Sequence, residues 1–380
     1  MSTNAITEYY DFAKLFSFNA TWNGVCGGRG MGKTWGSKRK SINDSLRTIK
    51  FKAIEKEVNG RGRNTKKMVT VHEVESVDKQ FIYLRRYKEE LAIAKETFFA
   101  DIEHVWPNWD FRIRGWKAEA SPTKYAELKN RPWAVIGYFV ALSQASHFKS
   151  AQFPKVSTIT YDEFIIEKGG QYLPNEPTKL VNFYNTVSRY RPGVRVLLLA
   201  NAVRIENPYF IHYKVDPDKQ DENNFIFMVP RDNGTYQMLW HFPVSEAFEA
   251  EIEATEFGQF IRATDPDYAD YAVGNKFSDN HKSMIGRKPK TATYVYTVET
   301  QNGIFSVWYD AKTNFFYCQE KRPANDEDFV TLVEEWMSEG KRLATFQDKT
   351  MGMLRSAYRH DRMRFEVAST RNAFIPVFKR

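Results

Sequence analysis

The residues that constrain this chain most are Gly27-Gly28-Arg29-Gly30-Met31-Gly32-Lys33-Thr34, which fit G-x-x-x-x-G-K-[ST] at every fixed position. The run before them, Ala20 to Cys26, reads as a strand and the stretch after them as a helix. A strand, a glycine loop and a helix N-terminus together make a phosphate cradle, and such cradles belong to parallel α/β sheets. The glycines let backbone N–H groups turn toward phosphate oxygens. Lys33 is placed for the β- and γ-phosphates and the Thr34 hydroxyl for Mg²⁺, so the expected ligand is ATP with its metal ion.

The rest of the first 230 residues agrees with a parallel sheet flanked by helices. Short apolar runs at Gln80–Leu84, Trp133–Phe139, Val156–Tyr161 and Val194–Ala200 alternate with longer helical patterns. Val156 to Glu163 (VSTITYDE) is a β-rich run ending in two carboxylates, in the manner of a Walker B strand. Asp162 is expected to orient the metal ion and its waters, and Glu163 to polarise an attacking water. A glutamate directly after that aspartate favours a nucleotide hydrolase over a kinase, which needs a phosphoryl acceptor instead. The Val194–Leu199 run ends at Asn201, which reads equally as a γ-phosphate sensor or as the cap of a turn. Arg189 and Arg191 sit on a polar loop or helix end with no acid beside them; from the residues alone they read as surface arginines, and either one would suit transition-state charge stabilisation in a neighbouring subunit.

Charge is unevenly placed. Lys38–Lys67 holds eleven basic and three acidic residues, and Lys341–Arg380 holds ten and three. Glu246–Asp270 carries eight acids against Arg262 alone. Two basic regions parted by an acidic stretch suit a polyanion partner, or simply solvated faces. Within the first basic region, Ile54–Lys79 contains NGRGRN between two polar-apolar runs and reads as an insertion, either a basic hairpin or a loop that orders on binding. Apolar runs fall short of the roughly 18 residues that span a bilayer, and no secretory signal opens the chain, so a cytosolic, membrane-free protein is expected. Cys26 and Cys318 are far apart and the seven histidines are scattered, which argues against disulfide scaffolds and zinc sites.

The domain reading is 1–230 for the nucleotide-binding sheet, 231–275 for a helical linker and 276–380 for a second, α+β domain. That second domain opens with strands at Ala292–Glu299, Ile304–Tyr309 and Phe315–Gln319, joined by QNG and KTN turns. Near its end, Arg355, Arg359 and Arg362 fall at helical spacing and read as a basic stripe, with Met351, Leu354 and Tyr358 on an adjacent apolar face.

Beyond the loop, the blocks Gln80–Lys88 (QFIYLRRYK), Val156–Ile165 (VSTITYDEFI), Tyr172–Glu176 (YLPNE), Asn201–Val203 and Asn207–Phe210 occur in one order. With that loop they resemble the genome-packaging ATPases of small podophages with protein-primed linear DNA. The resemblance implies a P-loop NTPase of the ASCE, FtsK/HerA-like type, followed by an RNase H-like C-terminal domain. It further implies a ring, pentameric, that pumps double-stranded DNA through a portal into an empty procapsid in the host cytoplasm, with a packaging RNA in some members. Carried over by position, Lys33 and Thr34 serve the phosphates and Mg²⁺, Asp162 orients the metal, Glu163 is the base and Arg189 the finger acting in trans. Lys149 matches a basic residue facing the neighbour's nucleotide and reads otherwise as a DNA-facing or solvated lysine. Arg29 matches a loop arginine that contacts nucleotide or neighbour, or caps the loop. The C-terminal domain implies a nuclease scaffold, but Glu299 and Asp310 stand near strand ends without a clear third carboxylate, so loss of cleavage is expected. A terminase-type enzyme that still cuts DNA is the alternative.

Overall fold

The computed structural model describes residues 9–59, 66–166, 170–201, 205, 207–264, 284–323, 329–332, 334–337, 341–344 and 348–379. Two compact units divide the chain, Met1–Ala202 with Asp221–Asn275, and Val203–Gln220 with Lys276–Arg380.

In chain order the first unit contains α1 (Phe12–Ser17), β1 (Trp22–Gly27), α2 (Lys33–Leu46), β2 (Ile49–Asn59), β3 (Lys66–Val77), β4 (Gln80–Arg85), α3 (Lys88–Glu96), β5 (Trp109–Arg114), β6 (Lys117–Pro122), β7 (Ala134–Ala141), β8 (Val156–Asp162), α4 (Glu176–Ser188) and β9 (Arg195–Asn201). After an excursion through α5 (Pro208–Tyr213), which belongs to the second unit, the chain returns with β10 (Phe225–Pro230), β11 (Tyr236–His241), α6 (Glu246–Glu253) and α7 (Glu256–Thr264).

Nine strands form one sheet in the order β10-β11-β1-β9-β8-β4-β7-β6-β5. The pairs from β11 through β7 are parallel, and antiparallel hairpins close both edges. Central strands covered on two faces read as unbroken apolar runs, and β9 is such a run: Val196, Leu197, Leu198 and Leu199 are at most 1% exposed. Burying each side chain of this kind contributes about 1.5–3 kcal/mol. Because β9 lies between β1 and β8, the loop that follows β1 and the carboxylates that end β8 emerge at the same edge of the sheet, one strand apart.

The five strands expected in this unit are present, with ends moved by one or two residues. The inserted hairpin is β2 paired with β3, a separate two-stranded sheet running from Ile49↔Val77 to Asn59↔Lys66; its NGRGRN tip past Asn59 lies outside the described residues. The expected boundaries differ from the structure at two places. The stretch read as a helical linker, 231–275, begins with β11, a full member of the parallel sheet. Trp240 on that strand is completely buried against Gly24, where a Cβ would stand 2.0 Å from the indole. The Asp232-Asn233-Gly234 turn makes β10 and β11 a hairpin, and the helical part is confined to α6 and α7, residues 265–275 lying outside the described set. Residues 203–220, read as part of the first domain, group with the second unit, because Ile211 of α5 packs on the C-terminal core.

The second unit continues with β12 (Thr293–Thr300), β13 (Gly303–Asp310), β14 (Phe315–Gln319), β15 (Phe329–Thr331), β16 (Lys341–Leu343), α8 (Lys349–Arg359), β17 (Met363–Phe365) and α9 (Ala368–Phe374). Its sheet order is β16-β15-β12-β13-β14-β17, with β12-β13-β14 an antiparallel meander and β15, β16 and β17 added in parallel. This is the RNase H-like unit. Helix α8 docks Met351, Leu354 and Ala357 into the core beside Phe305, Val307 and Phe374. The arginine stripe is shorter than its spacing suggests. The helix stops at Arg359, Asp361 takes a left-handed φ of 55°, and Arg362 turns to donate to Asn314 Oδ1 at 3.1 Å.

Candidate active site

Strand β1 delivers the glycine loop to the sheet edge, where Gly30 and Gly32 adopt φ of 84° and 70°, a region that L side chains rarely enter. Helix α2 then starts at Lys33. The loop is pinned from outside by the Tyr10 amide, which donates to the Met31 carbonyl at 2.9 Å. Arg29 is exposed at the crest. Lys33 is only 7% exposed, and its Nζ donates to the carbonyls of Gly27 (3.0 Å) and Gly28 (2.6 Å) and to Asn201 Oδ1 (3.3 Å). Burial pushes its ammonium down to about 8.

Across the single intervening strand β9, β8 ends at the predicted acidic pair. Thr34 Oγ1 donates to Asp162 Oδ1 at 2.9 Å, and Tyr83 Oη donates to Asp162 Oδ2 at 2.6 Å. Arg85, the last residue of β4, reaches Asp162 Oδ2 at 3.5 Å and Glu163 Oε2 at 2.5 Å. Burial opposes the Arg85 charge, but the carboxylates of Glu163 and Asp162 outweigh it and hold the guanidinium pKa above its ordinary value. Tyr83 is held up by burial first and by Asp162 second. Glu163 takes φ of 57°. For a residue with a side chain that backbone costs about 1–3 kcal/mol and persists where the surroundings enforce it. The turn carries the chain off the strand, the Phe164 amide closes onto the Leu199 carbonyl of β9 at 3.1 Å, and the Glu163 side chain stands 60% exposed.

Gly30, Gly32, Lys33, Thr34, Asp162, Glu163 and Asn201 line one cavity of about 270 Å³. A threonine hydroxyl and a carboxylate oxygen 2.9 Å apart are hard oxygen donors of the type Mg²⁺ takes together with substrate phosphates, so the pair fits that ion. The Arg and Lys expected to act on a neighbour lie elsewhere. Arg189 caps α4 with φ of 43° and donates from Nη2 to the Ala151 carbonyl at 3.1 Å. Lys149 is exposed two residues before that carbonyl. Neither lines the cavity. Arg191 is engaged by its own chain, donating to the carbonyls of Phe153, Pro154 and Val187 at 2.7–3.0 Å.

Tyr83, Arg85 and Asp101 also belong to this site or line it, and the sequence alone assigns them no role. No local signal marks Tyr83 or Arg85: QFIYLRR is an unbroken apolar run ending in two arginines, and the two join the site because they stand two apart on one face of β4, which pairs directly with β8 through Leu84↔Tyr161.

A glycine loop between strand and helix, whose threonine meets a strand-end aspartate from across one intervening strand, defines a protein of the P-loop NTPase class, here carrying an RNase H-like unit. The chain matches the family model of the Podovirus DNA encapsidation protein (Gp16) over residues 54–380, and it belongs to that family. It is 29% identical over 375 residues to the DNA packaging protein of Bacillus phage phi29, covering 98% of this chain and 97% of the relative. Among solved structures it resembles a chain of the bacteriophage Phi-29 viral genome packaging motor assembly, at 26% identity and a TM-score of 0.68 over 98% of both chains. The Phi-28 gp11 DNA packaging motor shares the fold at 17% identity and a TM-score of 0.61.

Proposed function

We propose that this chain is an ATP-hydrolysing subunit of a ring motor that drives double-stranded viral DNA through a portal into a procapsid. The observation that carries the reading is the convergence of Lys33, Thr34, Asp162 and Glu163 at one sheet edge in a chain of the encapsidation family. Lys33, with the loop N–H groups, binds the β- and γ-phosphates and orients the terminal phosphoryl group. Thr34 and Asp162 hold Mg²⁺, which supplies charge neutralisation across the phosphates when bound. Glu163 accepts a proton from the attacking water, and for that its carboxylate must leave Arg85. Asn201, already a partner of Lys33, senses the terminal phosphate. Arg189 and Lys149 lie outside this cavity and serve the nucleotide of the next subunit, so the ring, a pentamer, is part of the site. ATP hydrolysis takes place in the host cytoplasm while the ring is docked on the procapsid. The basic hairpin and C-terminal regions bind DNA, or a packaging RNA where one is present.

The second unit binds nucleic acid without cutting it. The two carboxylates that could begin a nuclease cluster are committed to structure: Glu299 Oε2 accepts from Lys341 at 2.8 Å, and Asp310 takes Thr291 on one oxygen and the Thr313 amide and hydroxyl on the other.

ATP turnover by the purified chain alone, with added DNA, and with empty procapsids tests this reading. Stimulation by the assembled complex is expected. Glu163→Gln should bind nucleotide but lose turnover by about 10²–10⁴-fold, whereas Lys33→Ala should weaken binding itself. Wild-type turnover in Glu163→Gln would remove the assigned base.

A further inference from the structure

Arg85 and Arg86 follow one another at the end of β4 and grip the same turn from two sides. Arg85 takes the carboxylates, and Arg86 takes the backbone. The Arg86 guanidinium is 2% exposed and donates from Nη1 to the Glu163 carbonyl at 3.3 Å and from Nη2 to the Phe164 carbonyl at 2.6 Å. Its Nε donates to Glu176 Oε2 at 2.8 Å. Glu176, 1% exposed, is itself fixed by the Tyr161 hydroxyl at 2.7 Å and the Leu173 amide at 2.8 Å. A planar fork thus spans two consecutive carbonyls at the residue whose φ is 57°.

We propose that Arg86, locked by Glu176, is the positioning residue that keeps Glu163 in its left-handed turn and so aims the catalytic carboxylate into the nucleotide cavity. The inference rests on Glu163 being the base. A buried ion pair seldom adds stability over an apolar pair of the same size, so the pair is better explained by what it holds. Here that is a strained backbone from which an exposed side chain projects. Without the fork, the two carbonyls lose the donors that tie them to β4, and the turn relaxes toward ordinary φ. The carboxylate then swings off the line of attack while the glycine loop, on other strands, is untouched.

The test separates positioning from folding. Arg86→Met leaves the Glu176 carboxylate buried opposite an apolar side chain and should lower both stability and turnover. Arg86→Met combined with Glu176→Gln removes both charges; the amide oxygen keeps the Leu173 N–H while its NH2 donates to the Tyr161 oxygen, so most of the thermal stability lost in the single variant should return. The double variant is expected to bind a fluorescent ATP analogue with wild-type Kd yet keep a kcat lowered on the order of 100-fold, the usual consequence of misplacing a reacting group by about 1 Å. Arg86→Lys is the second variant: it keeps the charge beside Glu176, loses the fork, and should show the same loss in kcat with Kd unchanged. Wild-type kcat in a folded double variant or in Arg86→Lys would overturn the proposal. Glu163→Gln is run beside them; full turnover there would instead bring down the assignment of the base, whatever the Arg86 variants do.

Discussion

Lys33 stands between two charge states. Burial lowers its pKa from 10.5 to about 8, so the fold favours the neutral amine. Between those two values the unfolded chain holds more protons than the folded one. The lysine therefore weighs against folding most fully below about pH 8, and that cost recedes as pH rises toward 10.5. A phosphate group beside Nζ favours the ammonium again. Nucleotide binding near pH 8 and above should accordingly take up a proton, seen by calorimetry as a binding enthalpy that depends on the ionisation heat of the buffer. Lys33→Arg, always charged, should lose that dependence, and equal heats in all buffers for the wild type would refute the account. This residue is legible in the sequence because the loop motif fixes its place by spacing alone, as it does for Thr34. Asp162 and Glu163 are legible because a β-rich run ends on them. Arg85 is not, since its role depends on which strand lies beside β8, and a parallel neighbour 77 residues away leaves no local pattern.

At the scale of elements, β2 and β3 pair as an antiparallel ribbon of eleven rungs, about 35 Å long at the usual rise. It touches the first unit near its base, where Phe51 meets Trp109 and Tyr125, and His72 stacks near Tyr125 at 4.7 Å. Farther out Glu55, Lys56, Glu57, Met68 and Val69 are exposed, and Lys56 pairs with Glu73 across the strands. An element that buries so little should be removable. Replacing residues 54–71 by Asn-Gly, which leaves Ala53↔His72 as the closing pair, should preserve folding and nucleotide affinity. It also removes five basic side chains, so affinity for double-stranded DNA should fall and the slope of log K against log salt should flatten, by about 0.9 for each phosphate no longer neutralised. An unchanged slope in the folded variant would assign the ribbon another task. The hairpin is legible from its turn chemistry and alternation. The arginine stripe of α8 is shorter than expected for a related reason: spacing of three and four cannot reveal that Asp361 ends the helix before Arg362. Strand β11 escapes the sequence pattern because Tyr236–His241 has neither a long apolar run nor a phosphate motif, and only its pairing with β1 makes it central.

At the scale of the whole molecule, the chain carries two kinds of arginine around its proposed chemistry: those that complete its own cavity and those that lie outside it. Arg191 is spent on several carbonyls of its own fold, whereas Arg189 sits on a left-handed cap, donating to the Ala151 carbonyl, beside a Tyr190 that is 91% exposed. A charge presented this way does catalytic work only if another copy supplies the phosphate. In the proposed ring, head-to-tail association would give each subunit one site built from its own loop and one finger given to its neighbour. Arg189→Ala and Glu163→Gln subunits should each be inactive alone. Mixed in equal amounts and co-assembled, they should form about one interface in four with both groups intact, and turnover should reappear there. If co-assembly is demonstrated and no ratio restores turnover, Arg189 does not act on the neighbour's ATP, and the ring loses its role in completing the site.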